Sequence, residues 1–190
     1  MRSLFITIAV AAAVGAPHAA WGDDPYASVN AMRQAFARVQ SATATERFGT
    51  GEKATVLYNA PNRYRITTSR AQIVLAGQTE YSRYRGGSWM PSPHGAMHQQ
   101  ILQAVWQLAG PPGTDLHKLY TIASLGTRSI DGSVTHGYRL DDKAGGYTER
   151  IWVGSNELPV EAVLQMPGES IDIHYSAYNS STLVATPNGS

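Results

Sequence analysis

Between Pro61 and Trp89 the chain offers three short runs of strand-forming residues separated by turn residues, and this leaves few folds open. Proline cannot donate to a ladder and suits the first residue of a strand, so Pro61-Asn62 opens the first run. In that run the period of two sends Tyr64 and Ile66 to one face and Arg63, Arg65 and Thr67 to the other. Residues 72–76 form a second, mostly apolar run, and residues 78–85 a third, rich in Tyr and Thr. Gly86-Gly87 accepts positive φ at both central positions of a tight hairpin turn. Nothing in the stretch carries catalytic chemistry. It predicts a curved antiparallel sheet with an aromatic concave face.

The same grammar returns on both sides. Residues 41–48 and 52–58 read as two strands joined at Gly49-Thr50-Gly51. Residues 121–130 and 134–140 are joined by Asp131-Gly132, a strong hairpin signal. Strands over 147–153, 160–166 and 170–178 follow turns at Gly145-Gly146, Ser155-Asn156 and Pro167-Gly168. Two helices interrupt this pattern. One spans 25–40, entered through the cap Asp24 and Pro25, with Val29, Met32, Phe36 and Val39 on one face. The other spans 96–109, with Met97, Ile101, Val105 and Leu108 on one stripe and Gly110-Pro111-Pro112-Gly113 as its stop. Residues 90–95 read as a loop and 115–120 as one or two more helical turns. The fold class is therefore α+β. A strongly curved antiparallel sheet of about ten strands forms an open half-barrel covered by two or three helices.

The chain begins with Met1-Arg2-Ser3, an unbroken apolar run over 4–14 and small residues at Ala20 and Gly22. This is a secretory signal peptide over 1–22, with Ala19 and Ala20 as alternative cleavage positions. The apolar run is shorter than the roughly 20 residues a spanning helix needs. Export to the periplasm follows. A single domain over 23–179 is expected, with 180–190 as a flexible tail. Without the leader, Lys+Arg falls from 15 to 14 against 14 Asp+Glu, which argues against nucleic acid as a partner. With no cysteine there is no disulfide, thiol nucleophile or thiolate metal site, and no lipid attachment through cysteine. No cofactor and no metal are expected, and the chain is read as a monomer.

Three segments resemble the outer-membrane lipoprotein carrier (LolA-like) superfamily of periplasmic proteins. Residues 60–66, Ala-Pro-Asn-Arg-Tyr-Arg-Ile, resemble a strand entered through proline and carrying an aromatic. Residues 72–81 resemble an "apolar run, Gly, Thr, aromatic" hairpin. Residues 150–160 and 173–178 resemble the C-terminal meander. The resemblance implies an unclosed barrel with a helical lid, holding an acyl chain, lipid or lipoprotein in an apolar cavity. It also implies a membrane-anchored donor or acceptor protein. One position departs: the basic residue that commonly precedes the strand-opening proline in the carrier proper is here Ala60.

The candidate ligand-binding residues follow from that picture. They are Tyr58, Tyr64, Ile66, Ile73, Leu75, Tyr81 and Trp89 from the first sheet half, Met97, Ile101 and Trp106 from the lid, and Trp152 and Val163 from the second half. Taken singly, each is better explained by ordinary core packing; it is the set that favours a ligand cavity. At about 0.8 kcal/mol per CH₂, a chain of about 14 carbons offers about 10 kcal/mol before ordering costs. His94 and His98 have helix-face spacing but sit beside Pro93 and Gly95, so they read as loop residues. His136 and His174 read as structural strand histidines, and Asp141-Asp142 as turn residues. Arg63, Arg65, Arg83 and Arg85 among Tyr64, Tyr81 and Tyr84 read as a solvated outer face. No nucleophile elbow, phosphate loop or dinucleotide fingerprint is present, so no enzyme activity is expected. The competing readings are a protein-interaction or sensor module with a filled core, and a small hydrolase or isomerase using His136 or His174.

Overall fold

The computed structural model describes residues 24–93, 108–110, 113–180 and 182–187. The leader with its cleavage site, most of the predicted helix over 96–109, and His94 and His98 lie outside the described residues.

Helix α1 (Pro25–Ala37) starts where the sequence places it. Asp24 caps it by accepting from the Tyr26 N–H at 2.9 Å, and Pro25 occupies a position whose missing N–H costs nothing. Its buried side is Ser28, Val29, Met32, Arg33 and Phe36. Six strands follow: β1 (Ser41–Phe48), β2 (Lys53–Asn59), β3 (Arg63–Thr68), β4 (Ala71–Ala76), β5 (Thr79–Tyr84) and β6 (Met90–Ser92). A short helix, α2 (Leu116–Leu119), leads into β7 (Tyr120–Ile130), β8 (Ser133–Asp142), β9 (Thr148–Gly154), β10 (Pro159–Met166) and β11 (Glu169–Ser176). All eleven strands form one sheet in the order β6-β5-β4-β3-β2-β1-β11-β10-β9-β8-β7. Every pairing is antiparallel, and among the described residues β6 and β7 are the edges of the sheet, so the barrel is open. The crossing from β1 to β11 joins an N-terminal wing (β1–β6) to a C-terminal wing (β7–β11).

Two local expectations shift. The hairpin after β5 turns on Arg85 and Gly86, both at positive φ (48° and 77°), with the Gly87 N–H donating to the Tyr84 carbonyl. The turn therefore lies one residue earlier than Gly86-Gly87. Residues 90–92 form a strand and not a loop. Pro91 is tolerated there because β6 is an edge, where its missing N–H breaks no ladder bond. The Asp131-Gly132 hairpin appears as expected, with φ of 50° and 78°. Asp142 closes the next turn, its carboxylate accepting from the Ala144 and Gly146 N–H groups.

The segment after β11, expected as a flexible tail from residue 180, is tied to the sheet. The Ser41 hydroxyl donates to the Ser180 carbonyl, and the Asn59 amide both donates to the Thr182 carbonyl and accepts from the Val184 N–H. Val184 is only 2% exposed. Ser41 and Asn59 are paired across β1 and β2 and alternate with the core-facing Ala42 and Tyr58, so this strap crosses the convex side. Removing the amide in Asn59→Ala leaves the Val184 N–H without its acceptor. We expect a loss of about 1–3 kcal/mol. Hydrogen exchange at Val184 rising well above that of β2 amides checks it; unchanged protection there contradicts it.

Candidate functional site: the concave face of the N-terminal wing

Strand register sorts the side chains into two faces. On the concave side, Ala42, Ala44, Glu46 and Phe48 of β1 lie beside Tyr58, Val56 and Ala54 of β2 and beside Tyr175, Ile173 and Ile171 of β11. The row continues outward through Tyr64 and Ile66 of β3 to Leu75 and Ile73 of β4. In the other direction it runs through Ala162 and Leu164, Ile151, Tyr138 and Leu140 to Ile122.

Helix α1 lies across the C-terminal wing. The Tyr26 hydroxyl donates to the Tyr120 carbonyl, and Phe36 meets Tyr175 edge-on with ring centroids 5.7 Å apart. Arg33, 3% exposed, donates to the carbonyls of Gly110 and Thr114 at 3.2 and 3.1 Å. Glu149, 2% exposed, accepts from the Ala109 N–H. These two side chains pin the same short segment on the C-terminal wing. Ala109 itself has φ 58°, so no helix continues through it, although the sequence predicts one to that residue.

Some of the candidate binding residues lie on the concave face of the N-terminal wing. Tyr58, Tyr64, Ile66, Ile73 and Leu75 form one contiguous concave patch, with the Tyr58 and Tyr64 rings 5.2 Å apart. Tyr64 and Leu75 are buried, whereas Tyr58, Ile66 and Ile73 are half-buried, as are Phe48 and Leu164 nearby. Phe48 and Leu164 are absent from the sequence-based candidates, though their strand alternation marks them.

Four other candidates belong to the convex face. Tyr81 pairs with Val74, which alternates with concave Leu75. Trp89 stacks with the Arg83 guanidinium, 4.7 Å from its ring, and Arg83 in turn holds Gln72 on that same side. Trp152 and Val163 alternate with concave Ile151 and Ala162. Trp152 lies against Gly137, where an added Cβ would come within 2.9 Å of the indole nitrogen, and beneath Arg128 at 3.7 Å. A side chain on that side cannot line a cavity between the sheet and its helices. Met97, Ile101 and Trp106 lie outside the described residues.

Buried acids stand among these apolar rows: Glu46 on β1 and Glu80 on β5, beside Leu75, border the patch, and Glu149 lies on the C-terminal wing. Glu46 pairs with Ala54 on one side and Ile173 on the other, and is 6% exposed. Burial pushes its carboxyl from the usual 4.5 up to about 7. The Glu149 carboxyl also rises to about 7 through burial, opposed in part by the Ala109 N–H. Burial likewise raises the phenols of Tyr58 and Tyr64. Among the described residues no group of three or more His, Asp or Glu side chains is placed to hold a metal ion. His174 meets Asp131 at 3.3 Å on the outside of the sheet. No described helix is long and apolar enough to cross a membrane.

No family model matches this chain. No curated protein matches it in sequence. Solved structures do match. The Mycobacterium tuberculosis lipoprotein LppX superposes with a TM-score of 0.66 at 15% identity, covering 84% of this chain and 97% of that one. LprF from Mycobacterium bovis gives 0.63 at 14% identity, covering 87% and 99%. NE2245, a LolA superfamily protein from Nitrosomonas europaea, gives 0.38 at 12%, covering 86% and 96%. At such identities the likeness to LppX and LprF establishes the fold and nothing of the chemistry. The chain shares the fold of LppX and LprF, one open antiparallel half-barrel, here with a helix laid across one wing.

Proposed function

We propose that this is an exported, periplasmic binding or carrier protein for an apolar ligand, an acyl chain or lipid held against the concave face of the N-terminal wing. One observation carries the reading. Five residues chosen from the sequence as pocket lining come together there as a continuous apolar surface, and Tyr58, Ile66 and Ile73 within it are only half-buried. Two further half-buried apolar side chains, Phe48 and Leu164, extend the surface along the sheet. A patch of that kind holds a hydrocarbon chain without a specific polar contact, at about 25 cal/mol per Å² removed from water. That one similar structure, LppX, is a lipoprotein fits a life outside the cytoplasm. The role is binding and transfer, with no chemical step.

Protein purified without detergent and presented with phospholipid vesicles is expected to carry bound lipid in native mass spectrometry. Ile66→Glu, which sets a charge in the patch, is expected to abolish uptake. A clean apo mass in the wild type would favour instead a filled-core module that docks another protein.

A further inference from the structure

Within the concave face, one polar atom stands out. Glu46 Oε1 is buried, and it has no hydrogen-bond partner among the described residues. Its strand neighbours Ala44, Phe48, Ala54, Val56, Ile171 and Ile173 offer no side-chain donor, and the Tyr175 hydroxyl, near enough for the Glu46 charge to raise its phenol, does not reach Oε1 for a hydrogen bond. A buried acceptor left unmade in such a setting is costly, and native proteins rarely keep one without a use. Glu46 also lies close to the proposed patch. Thr68 and Ile66 are two strands away, roughly 10 Å at about 4.8 Å per strand, and half-buried Phe48 is the next concave residue on its own strand.

We propose that Glu46 receives the polar end of the bound molecule, and that the ligand is a long hydrocarbon chain bearing a neutral hydroxyl, a fatty alcohol or a partial glyceride, in preference to one ending in a carboxylate. This rests on the binding reading above and narrows it. A hydroxyl both donates and accepts, so it pairs with Oε1 whether the carboxyl is charged or protonated. Burial that brings the carboxyl to about 7 makes both forms available near neutral pH. An anionic head is held at the same place only if one of the two carboxyl groups takes up a proton, a cost that a hydroxyl does not carry. A site with one buried acceptor rejects a shape-matched ligand that lacks the donor, because the acceptor is then left orphaned.

The test uses the full exported chain and three probes delivered from cyclodextrin: 1-hexadecanol, hexadecyl methyl ether and palmitate. Native mass spectrometry titrations read the affinities. The wild type is expected to take the alcohol at least tenfold more tightly than the ether, and palmitate weakest of the three. Glu46→Leu is expected to keep ether binding and erase the preference for alcohol. Glu46→Gln, the variant closest in shape, is expected to keep the preference for alcohol and to strengthen palmitate binding several-fold by removing the charge. Equal affinity of the wild type for alcohol and ether overturns the assignment while leaving the binding role intact. So does a preference that survives in Glu46→Leu. Failure of all three probes to bind the wild type removes the underlying binding role itself.

Discussion

Raising the pH from about 4.5 to about 8 is expected to lower the stability of this protein, the reverse of what salt-bridged carboxylates produce. Glu46 and Glu149 are both buried, and burial lifts each carboxyl from the usual 4.5 to about 7 in the folded chain. Between those values the native state holds protons that the unfolded chain has released. Stability is then full below about 4.5, falls as the pH climbs toward 7, and levels off above it. A gap of this size corresponds to about 3 kcal/mol for each carboxyl as an upper figure. Urea unfolding at pH 5 and pH 8 measures it directly. Glu46→Gln and Glu149→Gln should each flatten the profile by a similar amount, and the double variant should remove most of it. Glutamine at 149 still accepts from the Ala109 N–H, so that contact survives the change. A wild-type stability that rises over the same interval contradicts the burial account of both groups.

The two wings are expected to answer mutation differently. Ile151 is fully buried on the C-terminal wing, between Tyr138 and Ala162 and within the core that Val29 and Met32 of α1 complete. Ile151→Ala removes most of a packed side chain and should cost about 2–5 kcal/mol, with no direct effect on ligand affinity. Ile66 and Ile73 on the N-terminal wing are only half-buried. Their alanine variants should cost under about 1.5 kcal/mol each, because less contact is lost. They should nonetheless weaken binding of a C16 probe several-fold. Denaturant midpoints beside mass-spectrometric affinities separate the two quantities. Equal stability losses on the two wings, with affinity unmoved by Ile66→Ala, would mean that the N-terminal patch is ordinary core.

Much of this architecture was legible in the residues, because hairpins report themselves locally. Asp131-Gly132 and Pro167-Gly168 sit where the strands turn, and Asp24-Pro25 starts α1. The N-terminal patch was legible for the same reason, since Tyr64 and Ile66 share a face by parity alone. Tyr81, Trp89 and Trp152 stand out by aromatic character, which says nothing of parity. On β5 the concave positions are the polar Glu80 and Ser82, so Tyr81 faces out. Trp152 and Val163 are out of phase with Ile151 and Ala162, and the convex face keeps its own shelter for an indole above Gly137. Glu46 was equally within reach, in step with Ala42, Ala44 and Phe48, but a glutamate in an eight-residue strand reads as solvated until the register of β11 shows what covers it. The C-terminal strap gives no local signal. Its anchor, Asn59, lies 123 residues from Thr182 in the chain.

The most direct measurement of the central claim is photolabelling with a long-chain alcohol carrying a diazirine near its hydrocarbon end, followed by peptide mapping. The predicted result is labelling confined to concave residues of β1 to β4, with Ile66 and Ile73 among them, and competed away by 1-hexadecanol. Labelling centred on Tyr81, Trp89 or Trp152, or scattered labelling that the alcohol does not compete, would contradict it.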